Sequence, residues 1–214
     1  MDFIRVVGQR VLPSCAILAL ALWVEPAGAQ VTPSAAPSCR GREVVVGITP
    51  SCPEGFMGCW AGAYEALGRL EGVDSVADTP NADSCTASVC LEDNGLPDPA
   101  KWASQFKSQM GNVYVFRGVE VTVSGTVEGA AGGLVLRVPG LEQPITLGPL
   151  QHKLQWDSKE KAPLKAEPDE RQAHKQLAAK VKDAKAEGLK VQVTGPLTKS
   201  KQGYVLEVRE FILS

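Results

Sequence analysis

Residues 59–76 read CWAGAYEALGRLEGVDSV, and the fold turns on this stretch. Trp60, Ala63, Leu67 and Leu70 recur at helical spacing, Gly72 closes the helix, and Val73 to Val76 alternates as a short strand. Working upstream, Glu43 to Ile48 is a β-branched run that ends at Pro50, and a Gly/Pro-rich loop from Thr49 to Gly58 leads into the helix. Downstream, Thr86 to Leu91 predicts another strand. Asp98 and Pro99 then supply a cap and a first-turn proline for a second helix, striped by Trp102, Phe106 and Met110. Asn112 to Phe116 returns to strand.

Beyond this point the pattern changes. Val119 to Val123 alternates, and Gly125 interrupts it where a curved strand needs a bend. Gly132-Gly133 marks a turn, Leu134 to Val138 a strand, and Ile145 to Leu147 the start of a third that could run to Trp156. A charged loop with Pro163 and Pro168 precedes a helix from about Asp169 to Glu187, with Leu177, Val181 and Ala184 on its inner stripe. Val191 to Gly195 and Tyr204 to Val208 complete the order.

The N-terminus carries Arg5 and Arg10, an apolar run from Cys15 to Val24, and Ala27-Gly28-Ala29. That pattern reads as a cleavable secretory signal over residues 1–29, the apolar run being too short to span a bilayer. A flexible tether over 30–42 follows, and no later stretch reads as a transmembrane anchor. The expected location is the periplasm or outside the cell. Residues 30–112 hold 5 Lys/Arg against 10 Asp/Glu, and residues 113–214 hold 15 against 12. The change in sign marks a change of domain.

The first element order, βαββαβ, is the split βαβ arrangement of the ferredoxin-like fold. The segment 43–117 resembles a heavy-metal-associated, copper-chaperone-like domain, through the pattern around Ala66-Leu67 and the Gly72-Val73 to Val76 turn into strand two. The second order, βββαββ over 118–214, is similar to that of a small oligonucleotide/oligosaccharide-binding (OB-like) β-barrel. The expected class is therefore α+β, a ferredoxin-like domain followed by an OB-like barrel.

The heavy-metal resemblance implies a loop with two thiolates for Cu(I) or another soft ion. Counting back from Gly72-Val73 puts the family's second cysteine on Cys59 and its first on Phe56, so one family ligand is absent. Cys52 lies earlier in the same loop, and Met57 adds a thioether. In that fold strands one and three run antiparallel. The resemblance thus implies a Cys39–Cys90 staple, with Cys52, Cys59 and Cys85 gathered at the opposite end of the sheet. Those three imply a soft-metal site, one disulfide plus a free thiol, or a Cys52–Cys59 bond within the loop.

No Ser/His/Asp set, phosphate-binding glycine loop or H-E-x-x-H motif occurs, so no enzyme is expected. His152 and His174 read as surface residues, as do the lysines of 153–190, whose interspersed acids argue against nucleic acid. Trp60 and Trp102 read as core, while Phe56 reads as either core or an exposed loop tip. The expectation is an exported, non-enzymatic metal-binding or metal-sensing module of the cell envelope. The alternatives are a disulfide-stapled module that contacts an envelope protein, or a binder of polyanion or glycan.

Overall fold

The computed structural model describes residues 39–51, 53–184 and 188–214. The signal reading of residues 1–29, most of the tether, and Cys52 lie outside the described residues.

Strand β1 (Glu43–Pro50) is paired on both edges; it buries Val44, Val46 and Ile48 on one face and half-buries Val45 on the other, which suits its β-branched run. A single-turn helix α1 (Gly55–Gly58) leads into α2 (Trp60–Gly68), which buries Trp60, Ala63, Ala66 and Leu67. Gly72, at φ +76°, turns the chain into β2 (Val73–Val76), and β3 (Thr86–Leu91) follows. Helix α3 (Pro99–Met110) begins as its sequence predicts: the Asp98 carboxylate accepts from the N–H groups of Ala100 and Lys101, and Trp102 and Phe106 are buried. Both buried indoles are satisfied, Trp60 donating to the Asp78 carbonyl and Trp102 to that of Glu71.

Strand β4 (Tyr114–Ala130) runs for 17 residues. The stretch from Val113 to Val127, rich enough in β formers to be read as one long strand shared across the expected domain junction, does lie largely in it, and the boundary expected at 117/118 falls inside it. Gly118 (φ +141°) and a register shift opposite Gly47/Ile48 produce a bulge at Arg117 rather than a break. Next come β5 (Gly133–Arg137), β6 (Ile145–Pro149), the short hairpin β7 (Trp156–Asp157) and β8 (Ala162–Pro163), and α4 (Pro168–Asp183). The third strand thus stops at Pro149, and Trp156 belongs to a separate hairpin. Strands β9 (Leu189–Ser200), β10 (Gly203–Val208) and β11 (Glu210–Leu213) complete the chain.

The expected fold class is corrected here. The strands form one nine-stranded mixed sheet in the order β11-β9-β10-β6-β5-β4-β1-β3-β2, with β9 also paired to β4. The described residues from 39 onward lie within one compact unit. A ferredoxin-like domain followed by a separate small OB-like barrel is not what forms, because β4 pairs with β1, β5 and β9 and carries the sheet through the supposed junction. Close approaches along this sheet explain two glycines. A Cβ on Gly125 would lie 2.3 Å from the Arg137 carbonyl oxygen, and one on Gly195 would lie 1.7 Å from that of Glu207.

A buried ion network fastens α4 to the sheet. Glu120 on β4 is only 4% exposed, and Arg209, between β10 and β11, reaches both of its carboxylate oxygens at 3.0 Å. Arg209 also reaches Glu170 in the first turn of α4 at 3.4 Å, and Lys153 pairs with Glu170 at 2.9 Å. Burial works to raise the Glu170 carboxyl, but the Glu167 N–H, Lys153 and Arg209 more than offset it and hold it below its ordinary value. Asp98 is also held low, chiefly by the Lys101 N–H. Depressed carboxyls contribute stability that is complete above their unfolded values and is lost as pH falls through the folded ones. Urea midpoints are therefore expected to be flat from about pH 7 to about pH 5 and to decline at lower pH. Glu170→Gln should shallow that decline; an unchanged slope would show that Glu170 does not drive it.

Candidate functional site

The sulfur-bearing edge is built where β1 ends and β3 begins. At the opposite end of that pairing, Cys39, ahead of β1, and Cys90, late in β3, form a disulfide with a Cα–Cα distance of 5.5 Å, the staple that the resemblance implied. Cys59 sits between α1 and α2, packs against the core and is itself disulfide-bonded. Cys85 is the free cysteine among the described residues, and it is buried. Whether Cys52 joins them lies outside the described residues.

Phe56 is core, not a loop tip. Its ring stacks on Trp60 at 5.9 Å and meets the edge of Tyr114 at 6.0 Å. The Tyr114 hydroxyl donates to the Phe56 carbonyl, and burial, helped by the nearby Cys85, pushes that phenol up to about 12. An aromatic ring therefore stands at the position onto which the family's first metal cysteine aligns. Met57, next to it, is exposed.

Cys85 adopts the left-handed conformation (φ +50°), an uncommon one for a residue with a side chain. Its carbonyl accepts from the Ile48 N–H at 3.1 Å and from Arg117 Nη2 at 2.8 Å. Its sulfur lies 3.0 Å from Ser158 Oγ, in the β7–β8 connection. The hairpin is anchored over the thiol in three ways. The Trp156 N–H donates to the Ser84 carbonyl at 2.9 Å, Arg117 Nη1 donates to the Leu154 carbonyl, and the Arg117 guanidinium lies 5.2 Å from the centre of the Trp156 ring. Asp157 shapes the turn by accepting from the Lys159 and Glu160 N–H groups. Arg117 has no carboxylate partner among the described residues. Burial brings its guanidinium down to about 10, against a raising effect from Cys85.

This arrangement does not fit a two-thiolate soft-metal loop. A sulfur already in a disulfide supplies no thiolate, and the Cys85 thiol is aimed at a serine hydroxyl beneath a hairpin. Among the described residues, no three His, Cys, Asp or Glu side chains gather at metal-binding distances. His152 is exposed, whereas His174, read as a surface residue, is half-buried with its Nε2 enclosed.

The hub that sequence reasoning missed is Arg117. Its neighbourhood opens into a cleft of about 520 Å³ between the start of α3, β4, the 152–154 loop and β9. A second cavity of about 470 Å³ continues along β4 past Phe116, Val115 and Tyr114. A lone basic residue within an alternating β run carries no local mark of such a role. Among the described residues, no helix is long and apolar enough to cross a membrane. Compared with family models, curated proteins and solved structures, the chain matches none.

Proposed function

We propose that this chain is an exported, disulfide-stapled module that presents a surface to another envelope or secreted protein. The observation that supports this reading most is the state of the cysteines. Cys39 and Cys90 are joined, Cys59 is bonded, and Cys85 is sealed under β7–β8. Disulfides persist in oxidising compartments, which agrees with the signal-like composition of residues 1–29. In such a module the cysteines hold the chain together and the work falls to exposed surface.

The test is a thiol count with a metal titration. The purified protein is alkylated without reductant, folded and then in denaturant, and weighed by mass spectrometry. Among the described cysteines, the expected result is no label in the folded state and one after unfolding, on Cys85, with Cys39, Cys59 and Cys90 unlabelled throughout. Cu(I) added to the oxidised protein should show no stoichiometric uptake. Label on Cys59, or Cu(I) uptake abolished by Cys59→Ser, would overturn the proposal in favour of a soft-metal module. Salt-sensitive binding to heparin would instead move the reading to a polyanion ligand.

A further inference from the structure

The inner face of the sheet ends at an unfilled place. Val121, Val123, Gly125 and Val127 take alternate positions on the inner face of β4, with all three valines buried, and the next position on that face is the exposed Gly129. Its antiparallel partner on β5, Leu134, is buried on the same face. Gly125 and Gly195 are required by close backbone approaches, but Gly129 is not. Its φ is not positive, and a Cβ there would meet no atom within 4 Å. Glycine weakens a strand, and its common reason is the near approach of another backbone or of a ligand. At 129 no backbone comes near.

Helix α4 forms the facing wall. His174, Ala178 and Val181, spaced i, i+4 and i+7, stand across from Gly129, Ala130 and Leu134 and leave a cleft of about 570 Å³. That volume suits a small molecule, and most of the side chains around it are apolar. One polar atom of this wall, His174 Nε2, is enclosed without a hydrogen-bond partner among the described residues. A buried polar atom left unpaired is unfavourable, so an oxygen brought to it on a turn of the ring would be a gain.

The charges at the rim are one-sided. Glu128 is the one carboxylate among the described lining residues, and Arg137 Nε already donates to it at 2.9 Å. Lys182 lines the same cleft, is exposed, and has no ion pair or hydrogen bond among the described residues. Lys175, seven residues earlier and so on the same helix face, is likewise exposed and unengaged. Free ammonium groups thus stand on the solvent side and apolar groups inside, which gives a charged head and an apolar chain separate places.

We propose that this cleft binds a single-chain anionic amphiphile, a long-chain carboxylate, with its chain against Gly129, Leu134 and Val181 and its head at Lys182. The inference goes beyond the interaction-module reading and does not depend on it.

The test uses the purified, oxidised protein and dodecanoate kept below its micelle concentration, followed by titration calorimetry. Controls are butanoate, which has the same head, and dodecyltrimethylammonium, which has the same chain. One dodecanoate per chain is expected, bound about tenfold or more tightly than either control. Gly129→Leu, which puts a side chain into the cleft, should weaken dodecanoate binding about tenfold or more with the melting temperature unchanged or raised. If that variant does not fold, Ala178→Leu fills the cleft from the helix side and should have the same effect on binding. Lys175→Glu/Lys182→Glu should erase the preference for the anionic head and retain binding of dodecyltrimethylammonium. Equal binding of anion and cation by the unaltered protein, or dodecanoate binding that filling the cleft leaves unchanged, would overturn the assignment. So would binding to phosphatidylglycerol vesicles without binding to monomeric dodecanoate, or a dimer of this chain that Gly129→Leu dissociates. None of these outcomes alters the thiol count, so the two proposals fail separately.

Discussion

Arg209→Leu is expected to lower the unfolding free energy by about 3–5 kcal/mol, the cost of leaving a buried ion without its partner. Glu120 sits on a strand paired along both edges, and its side chain is 5% exposed. Water cannot replace the two 3.0 Å bonds that Arg209 gives it. The same substitution frees Glu170 from one of its two cations, so the start of α4 loosens as well. The double variant Glu120→Leu/Arg209→Leu should recover most of the loss, because it removes the stranded charge together with its partner. Urea denaturation of wild type, both single variants and the double variant gives the coupling directly. A loss below about 1 kcal/mol for Arg209→Leu would mean that the network behaves like a surface pair.

The second large effect is expected at the Cys39–Cys90 bond, which closes a loop with a sequence separation of 51. On the chain-entropy account, Cys39→Ser/Cys90→Ser should cost about 2–4 kcal/mol. The bond holds the chain just ahead of β1 against β3, next to Arg42. That side chain separately donates to the carbonyls of Asn94, Gly95 and Thr122. Arg42 keeps part of the tie when the sulfurs are gone, so the expected result is a weakened fold and not an unfolded chain. Reductant alone also acts on the Cys59 bond, and the double serine variant isolates the Cys39–Cys90 contribution. A urea midpoint equal to that of wild type would show that Arg42 carries the tie unaided.

Much of the local structure was written in short-range chemistry. Asp98-Pro99 announces α3, Gly72 announces the turn after α2, and the resemblance-based pairing of Cys39 with Cys90 holds. What escaped notice is long-range. Alternation from Val113 to Val127 specifies strand but not neighbours, so nothing local says that β4 serves β1, β5 and β9 together. The aromatic at 56 looked equally suited to core or loop tip until Tyr114 and Trp60, distant and near in sequence, enclosed it. Ser158 reaches Cys85 across 73 residues, and no periodicity encodes that contact.

The continuity of β4 has a consequence for anyone dividing the gene. A cut at 117/118 would split a single ladder. The upstream fragment would keep the partners of Ile48 to Pro50 and lose those of Val44 to Gly47, while the downstream fragment would expose Val119 and Val121 along a raw flank. Neither half would inherit a finished surface, since each would carry part of a ladder whose other part lies across the cut.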